Sequence, residues 1–270
     1  MMFKALLAIL TLPGCCISLE AQTADEIISR HIQATGGLKA LKSIQTMRIV
    51  QRVDTGDPAK NFEFVIFRKR GNKFRLENSA SLSEQDKVPM ISGCDGHHGW
   101  SQLGNAPAQT GSGPDVMCHE SPDIDSPLLD YKAKGYAVEL EGKEKVEGRD
   151  AYHLQLTRQK GHEPALHYYF DAQSFLLVKI STESHDQHHE DIYSDYREVQ
   201  GIMFAFCDEM RWRRVGHGPS RRKQVKGANA PDEAGRQKQS VEKLEFNIPL
   251  DDSLFRIPQN AVMGPHVVKR

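Results

Sequence analysis

The 270-residue sequence contains none of the short motifs that identify the commonest enzyme classes. It has no nucleophile elbow, phosphate-binding loop, dinucleotide fingerprint or metalloprotease helix motif, each of which needs reactive groups at a fixed spacing. Lysine plus arginine number 35 and aspartate plus glutamate 36, so the formal net charge is -1. A chain this close to neutrality gives no overall electrostatic reason to expect nucleic acid as a partner. We therefore predict a protein that is not an enzyme, has no cofactor and shows only local charge effects.

Cysteine is scarce, with five residues in the whole chain. Cys15 and Cys16 lie in the N-terminal segment, which leaves Cys94, Cys118 and Cys207 for the folded part. An odd number excludes a complete disulfide framework. Cys94 and Cys118 lie at the two ends of one long segment and could form a disulfide bond in an oxidising compartment. Three unpaired buried thiols explain the sequence equally well.

Long hydrophobic runs are also missing, and the apolar run Ala5–Leu12 is too short to span a bilayer. Lys4 precedes this run and a Pro-Gly break follows it, which predicts a secretory signal over residues 1–21. Cleavage after Leu19-Glu20-Ala21 would give a soluble exported protein. The alternative is an envelope lipoprotein acylated at Cys15, because Leu12-Pro13-Gly14-Cys15 resembles a lipobox.

What the sequence does contain is a long series of strand patterns between Tyr136 and Trp212. Alternating apolar positions place these residues on one face: Tyr136, Val138, Leu140, Tyr152, Leu154, Leu156, Leu166, Tyr168, Phe170, Leu176, Val178 and Ile180. Turn sequences at 147–149, 159–161 and 171–174 are about ten residues apart, which predicts an antiparallel meander. Its apolar face must either pack against a second layer or line a cavity, and the sequence leaves both open.

Two helices are predicted outside this meander. Thr23-Ala24-Asp25-Glu26 has the capping-box pattern and begins an N-terminal helix that Gly36-Gly37 ends. A short mid-chain helix is predicted over Asp125–Lys134, after an irregular loop over Leu103–Pro122. The polar segment at about 216–239 is predicted to be a mobile insertion, with a strand returning at Val241.

Histidine and carboxylate side chains are concentrated from His185 to Asp191, where we predict a turn between two strands. Zinc and copper accept such ligands, so the weak metal candidates are His185, His188, His189 and Glu190. A metal-dependent enzyme built around this cluster is the alternative to a binding protein. A hydrophilic hairpin tip explains the same composition, and no metal is assigned.

A local basic run follows the meander. The residues predicted to form a basic surface contact are Arg211, Arg213, Arg214, Arg221, Arg222 and Lys223. Cations at this density attract anionic lipid head groups or an acidic protein surface, although a solvated loop explains them too. The expected partners are therefore an amphiphilic ligand, with peripheral contact to an anionic membrane or an envelope protein.

Several short motifs occur along the chain: Gly36-Gly37, Asp95-Gly96 with Trp100, Leu140 to Glu144, Val146-Glu147-Gly148 with Tyr152, Tyr168 to Asp171, Asp195-Tyr196-Arg197 before Gly201-Ile202, and Phe246-Asn247 with Phe255. Together they resemble the LolA-like family of outer-membrane lipoprotein-sorting proteins. Ala205 and the insertion after Trp212 depart from the pattern. The resemblance implies a mainly β (α+β) fold: a strongly curved, half-open antiparallel sheet or barrel whose helices cover the concave face.

The same resemblance implies one domain over residues 22–270, a periplasmic location and a role in carrying acyl chains. The predicted ligand-binding residues of an apolar cavity are Phe64, Ile66, Trp100, Tyr152, Leu154, Tyr168, Phe170 and Val178. Our first hypothesis is an exported, non-enzymatic carrier or sensor of a lipid, acyl chain or lipoprotein. The further alternative is an envelope interaction protein whose core is filled by its own side chains.

Overall fold

The computed structural model describes residues 22–78, 88–120, 123–160, 163–184, 187–214 and 235–263. The predicted signal segment 1–21, with Cys15, lies outside these ranges. The helices are α1 (Ala24–Ala34), α2 (Leu38–Ser43) and α3 (Ser112–Glu120), with short 3-10 turns at Pro58–Lys60 and Asp252–Phe255. No helix in the described ranges is long and apolar enough to cross a membrane.

The strands are numbered in chain order. They are β1 (Thr46–Asp54), β2 (Phe62–Lys69), β3 (Lys73–Asn78), β4 (Met90–Asp95), β5 (Gly99–Leu103), β6 (Gln109–Thr110), β7 (Tyr136–Val146), β8 (Arg149–Arg158), β9 (Leu166–Asp171), β10 (Leu177–Ser184), β11 (Gln187–Val199), β12 (Ile202–Arg214), β13 (Gly235–Phe246) and β14 (Val262–Met263).

All the strands belong to one sheet with the order β14-β6-β5-β4-β3-β2-β1-β13-β12-β11-β10-β9-β8-β7. Neighbouring strands are antiparallel except for β14 and β6, which pair in parallel, so the sheet is mixed. In the described part of the chain no pairing joins β14 to β7, and the sheet stays half-open. The predicted fold class and the antiparallel meander from β7 to β12 are confirmed.

Side-chain alternation assigns each strand residue to one of two faces. Directly paired residues share a face, so Met47 of β1 lies on the same face as Phe246 of β13. We call this the concave face; the helices α1 and α2 pack on it, and the opposite side is the outer face. On β1 the buried residues Met47, Ile49 and Val53 point to the concave face, while Arg48 and Arg52 point outward.

Helix α1 begins as the capping box predicts, because the Thr23 hydroxyl accepts a hydrogen bond from the Glu26 amide at 3.2 Å. It ends at Ala34, and Gly36 follows with a φ of 118° in the left-handed region. A side chain at Gly36 would also clash with the backbone carbonyl of Gly201 in the β11–β12 turn. Gly36 is therefore needed both to end the helix and to let the helix approach the sheet.

The mid-chain helix lies elsewhere than predicted. Residues 127–135 form consecutive turns rather than a helix. Asp130 has a φ of 56°, a left-handed conformation that interrupts a right-handed helix. The actual helix is α3, inside the segment predicted to be an irregular loop. Its first turn rests on the β5 backbone at Gly99, whose amide donates to the Asp115 carboxylate at 2.8 Å, a contact between distant segments that no local pattern indicates.

Strand β13 begins at Gly235, earlier than the predicted start at Val241. The predicted insertion therefore ends before residue 235, and the rest of it lies outside the described residues. Gly235 pairs with Trp212 of β12. A side chain at Gly235 would overlap the indole ring of Trp212, so only glycine fits this pairing.

Arg70 ties the covering segments to the sheet. Its guanidinium donates to both carboxylate oxygens of Asp125, at 2.8 and 2.9 Å. The same side chain donates to the carbonyl oxygens of Leu41, within α2, and of Ile44, which follows α2. This bidentate contact with added backbone acceptors holds α2 and residues 123–135 against the end of β2.

Cys94 of β4 and Cys118 of α3 form a disulfide bond, with Cα atoms 5.2 Å apart. Cys207 is a free, half-buried thiol. The pairing that the sequence left open is thereby decided, because the position of α3 on β4 and β5 brings the two cysteines together.

Replacing both Cys94 and Cys118 with alanine is expected to lower the free energy of unfolding by about 3 kcal/mol, the loop-closure contribution of a cross-link of this length. Urea titration of the oxidised protein and the double variant measures the difference. The matched control is Cys207→Ala, expected to shift the midpoint little. Equal midpoints for the double variant and the wild-type protein would contradict a structural disulfide.

Candidate functional site

The concave face is covered over part of its area by α1 and residues 123–135. Ile27 and Ile28 of α1 and Leu128 form one buried cluster with strands β8 and β9. The strand members of this cluster are Tyr152, Leu154, Leu156, Tyr168 and Phe170, each no more than 6% exposed. Four of the residues predicted to line a cavity are thus core residues, which is the alternative that the sequence left open.

A second cluster covers the neighbouring strands. Helix α2 and Ile44 pack there against β1, β12 and β13, and Ile66 of β2 joins the edge of this cluster. Phe64 lies two residues along β2 on the same face, half-buried, with its ring edge-on to Phe62 at 4.9 Å between centroids. Phe64 belongs to none of the buried clusters.

Two predicted cavity residues lie on the outer face instead. Trp100 pairs with Gly93, and its indole nitrogen donates to the Phe255 carbonyl oxygen at 3.0 Å beneath the C-terminal turn. Val178 packs with Tyr169 in a separate outer cluster. A register shift between Leu177 and Lys179 changes the alternation there, so the predicted face of Val178 is wrong.

The structure adds apolar residues that the sequence analysis did not select. Phe62, Met210 and Trp212 are half-buried, lie on the concave face and belong to none of the buried clusters. Together with Phe64 we call them the open strip. The alternation Ile202, Phe204, Phe206, Met210, Trp212 along β12 was the available signal, and only the interruption at Asp208 obscured it.

Polar residues occupy the middle of the concave face beside the open strip. Asp208 of β12 pairs with Tyr193, and Asp191 pairs with Met210, so the two carboxylates are diagonal neighbours. His189 Nε2 lies 3.2 Å from Asp191 Oδ1. We call His189, Asp191 and Asp208, together with Tyr168, Tyr193 and Tyr196, the polar centre.

Burial perturbs the groups of the polar centre. Burial first, and then the nearby charge of Asp191, raises the pKa of Asp208 to about 7. The hydrogen bond with Asp191 raises the pKa of His189. Oδ1 of Asp208 is buried without a hydrogen-bond partner. A carboxyl group in such surroundings takes up a proton or a donor from a ligand more readily than one at the surface.

The weak metal candidates do not converge. Residues 187–191 lie within β11 rather than in a turn, so adjacent side chains point to opposite faces. His188 and Glu190 are on the outer face, where Glu190 also contacts Lys179 at 3.3 Å, while His189 is on the concave face. His185 lies outside the described residues. No group of metal-ligating side chains occurs in the described part of the chain.

In the described part of the basic run, one of the three arginines has its charge paired with carboxylates. Arg211 lies on the outer face and contacts Glu209 at 2.5 Å and Glu147 at 2.9 Å, so its charge is compensated. Arg213 and Arg214 are exposed at the end of β12. Arg221, Arg222 and Lys223 are outside the described ranges.

An outer-face cleft of about 220 Å³ lies between β7 and β13. Val146, Val178 and Ile192 contribute apolar walls, but charged residues surround them, including Arg149, Glu209 and Lys238. A cleft with this charged rim suits an acyl chain less well than the open strip. The concave face is the better candidate site.

The half-open sheet, its helix-covered concave face and the adjoining open strip define a class of proteins in which a curved sheet wraps around its helices. Comparison with solved structures identifies the fold as LolA-like, which confirms the predicted resemblance at the level of the fold. No protein-family model and no curated protein sequence matches the chain.

Three solved structures illustrate the likeness. A LolA superfamily protein from Nitrosomonas europaea has a TM-score of 0.51 at 13% identity, covering 87% of this chain and 98% of that one. A domain named as an outer membrane lipoprotein-sorting protein domain, from Vibrio parahaemolyticus, gives 0.52 at 10% identity, with 85% and 94% covered. A DUF1329 family protein from Desulfovibrio piger gives 0.53 at 15% identity, with 87% and 98% covered.

Replacing Asp208 with asparagine is expected to stabilise the protein at about pH 8 by on the order of 1–4 kcal/mol and to change little near pH 4. The folded-state pKa of Asp208 is raised to about 7, so folding favours its protonated form. Wild-type stability should therefore fall as pH rises from about 4 to 7, where the unfolded chain has already lost this proton.

Urea unfolding across this pH range measures the effect. Asp195→Asn is the matched control, because Asp195 is exposed and paired with Arg197 on the same sheet. Parallel pH profiles for the wild-type protein and the Asp208→Asn variant would show that Asp208 titrates like a surface carboxylate.

Proposed function

We propose that the protein is an exported, non-enzymatic carrier or sensor that holds the acyl chain of a lipid or lipoprotein against its concave face. The open strip is the observation that carries this proposal. Phe62, Phe64, Met210 and Trp212 present aromatic and flexible apolar groups beside a core that is already filled. Each methylene group transferred there from water contributes about 0.8 kcal/mol, so a chain of several methylenes binds without any polar contact.

The fold supports this proposal, because one neighbour with the same fold is named for sorting outer-membrane lipoproteins. The signal pattern over residues 1–21 supports export to the periplasm, with acylation at Cys15 as the anchored alternative. The Cys94–Cys118 disulfide agrees with an oxidising compartment. We propose residues 22–270 as one domain, since strands from Thr46 to Met263 share a single sheet.

The site proposed for the acyl chain differs from the one predicted from the alternation pattern. Phe64 and Ile66 remain in it, and the open strip extends it across β12. Tyr152, Leu154, Tyr168 and Phe170 form the floor on which α1 and Leu128 rest. A ligand that reached them would have to displace α1, so the open strip is the first contact.

Protein exported and purified gently is expected to carry lipid, visible in native mass spectrometry as a discrete added mass. Phe64→Asp should weaken binding of the fluorescent probe N-phenyl-1-naphthylamine by at least about tenfold, because a carboxylate would then face the acyl chain. Phe67→Asp is the matched control: it places the same change on the outer face of the same strand, where Arg48 lies over the ring.

A clean apo mass together with no probe uptake would overturn the carrier proposal. The filled core of α1 on β8 and β9 would then favour an envelope interaction protein that presents its loops to a partner.

The basic run is proposed as a peripheral contact with anionic membrane or an acidic envelope protein. Each exposed cation contributes about 1 kcal/mol near an anionic surface, and salt screens this over roughly 8 Å. Replacing Arg221, Arg222 and Lys223 with glutamine should weaken co-sedimentation with phosphatidylglycerol vesicles and reduce its salt dependence, with no change in Tm. Arg211→Gln is the comparison, expected to have less effect because its charge is already paired.

A further inference from the structure

The polar centre lies at a defined place among the apolar residues of the concave face. Across the sheet, directly paired residues run from Met210 to Asp191, then to Ile180 and Tyr168. The polar centre therefore lies between the open strip and the covered core. Any acyl chain laid across the concave face passes beside Asp208.

One polar atom of the polar centre is buried without a partner. Oδ1 of Asp208 accepts no hydrogen bond. Tyr168 nearby is 3% exposed, and Tyr196 donates to the Leu177 carbonyl oxygen at 2.7 Å. Burying polar groups without partners costs free energy, so such groups indicate where a ligand's polar atoms are received.

The tyrosines of the polar centre lie close to its carboxylates. Burial raises the pKa of Tyr193, and the further causes are the charges of Asp208 and Asp191 followed by Tyr168 and Tyr196. The hydroxyl of Tyr193 is thus within electrostatic reach of the other four side chains. The tyrosines offer donors or acceptors as needed, whereas Asp208 supplies an acceptor or, when protonated, one donor.

The charges of the polar centre decide which ligands it tolerates. His189 pairs with Asp191, so one carboxylate is balanced and Asp208 is left over. Among the described residues, the lysine and arginine side chains on this face lie away from Asp208: Arg68 pairs across to Met47 at the other end of the strands, Lys143 lies over Tyr152, and Arg214 is exposed at the end of β12. An anionic head group placed here would face an uncompensated carboxylate in a poorly hydrated setting.

We infer that the polar centre receives the head of the bound amphiphile and selects heads that donate hydrogen bonds and carry no negative charge, such as a glyceryl hydroxyl or an amine. This inference rests on the proposed function and names its ligand class. With the head at Asp208, the acyl chain runs over β13 and β1 to Phe62, three strand spacings or roughly 14 Å away.

The test compares three probes with the same alkyl length: monolauroylglycerol, dodecylamine and laurate. Each displaces N-phenyl-1-naphthylamine from the full mature chain at about pH 8, below its micelle concentration. We expect monolauroylglycerol and dodecylamine to bind at least about tenfold more tightly than laurate. Asp208→Asn should reduce this preference at least about fivefold, mainly by strengthening laurate binding.

The outcomes separate the two proposals. If none of the probes binds, the carrier proposal and this inference both fail. If all three bind equally, or if laurate binds most tightly, the carrier stands and the inference is overturned. Asp191→Asn gives a second variant that keeps the test decisive, because it removes the other carboxylate of the polar centre and should also favour laurate, whereas Asp195→Asn should leave the preference as it is.

Discussion

Burial of one apolar face of a wide, curved sheet is the constraint on which the rest of this structure depends. The sheet cannot leave that face in water, and α1, α2, α3 and residues 123–135 cover parts of it in the described structure. Arg70 fixes those segments through Asp125 and two backbone carbonyls. Because this cover is short relative to a sheet of fourteen strands, part of the face stays open.

The position of the open part explains why carboxylates are found on the concave face. Where α1 packs, the inward side chains of β8 and β9 form a buried apolar and aromatic cluster. Beyond that cover, Asp191 and Asp208 point inward among tyrosines. An inward carboxylate is costly to bury and contributes nothing to packing. Its presence beside an apolar strip fits a surface that holds a molecule with both a chain and a head.

Strand bulges set the limits of sequence-based prediction at this site. Alternation placed Leu154, Tyr168 and Phe170 correctly on one face, because β8 and β9 pair without interruption. It misplaced Val178, which lies at a register shift: Leu177 pairs with Phe170 on the concave face instead, while Ile180 lies on the predicted face. Trp100 was predicted to line the cavity as an aromatic residue, but its partner Phe255 comes from the far end of the chain. Such a contact has no signature in the local pattern.

Local sequence was sufficient for the capped start of α1, the meander, the strand faces between bulges and the absence of common catalytic motifs. Periodicity and capping act over a few residues, so they can be recognised without the fold. Long-range packing was needed to establish where α3 forms, that Cys94 and Cys118 pair, and which apolar residues are core. It also determined that Asp208 lies beside Asp191 and that His188 and His189 lie on opposite faces of the sheet. Those outcomes depend on contacts between segments far apart in the chain, which local sequence preferences do not specify.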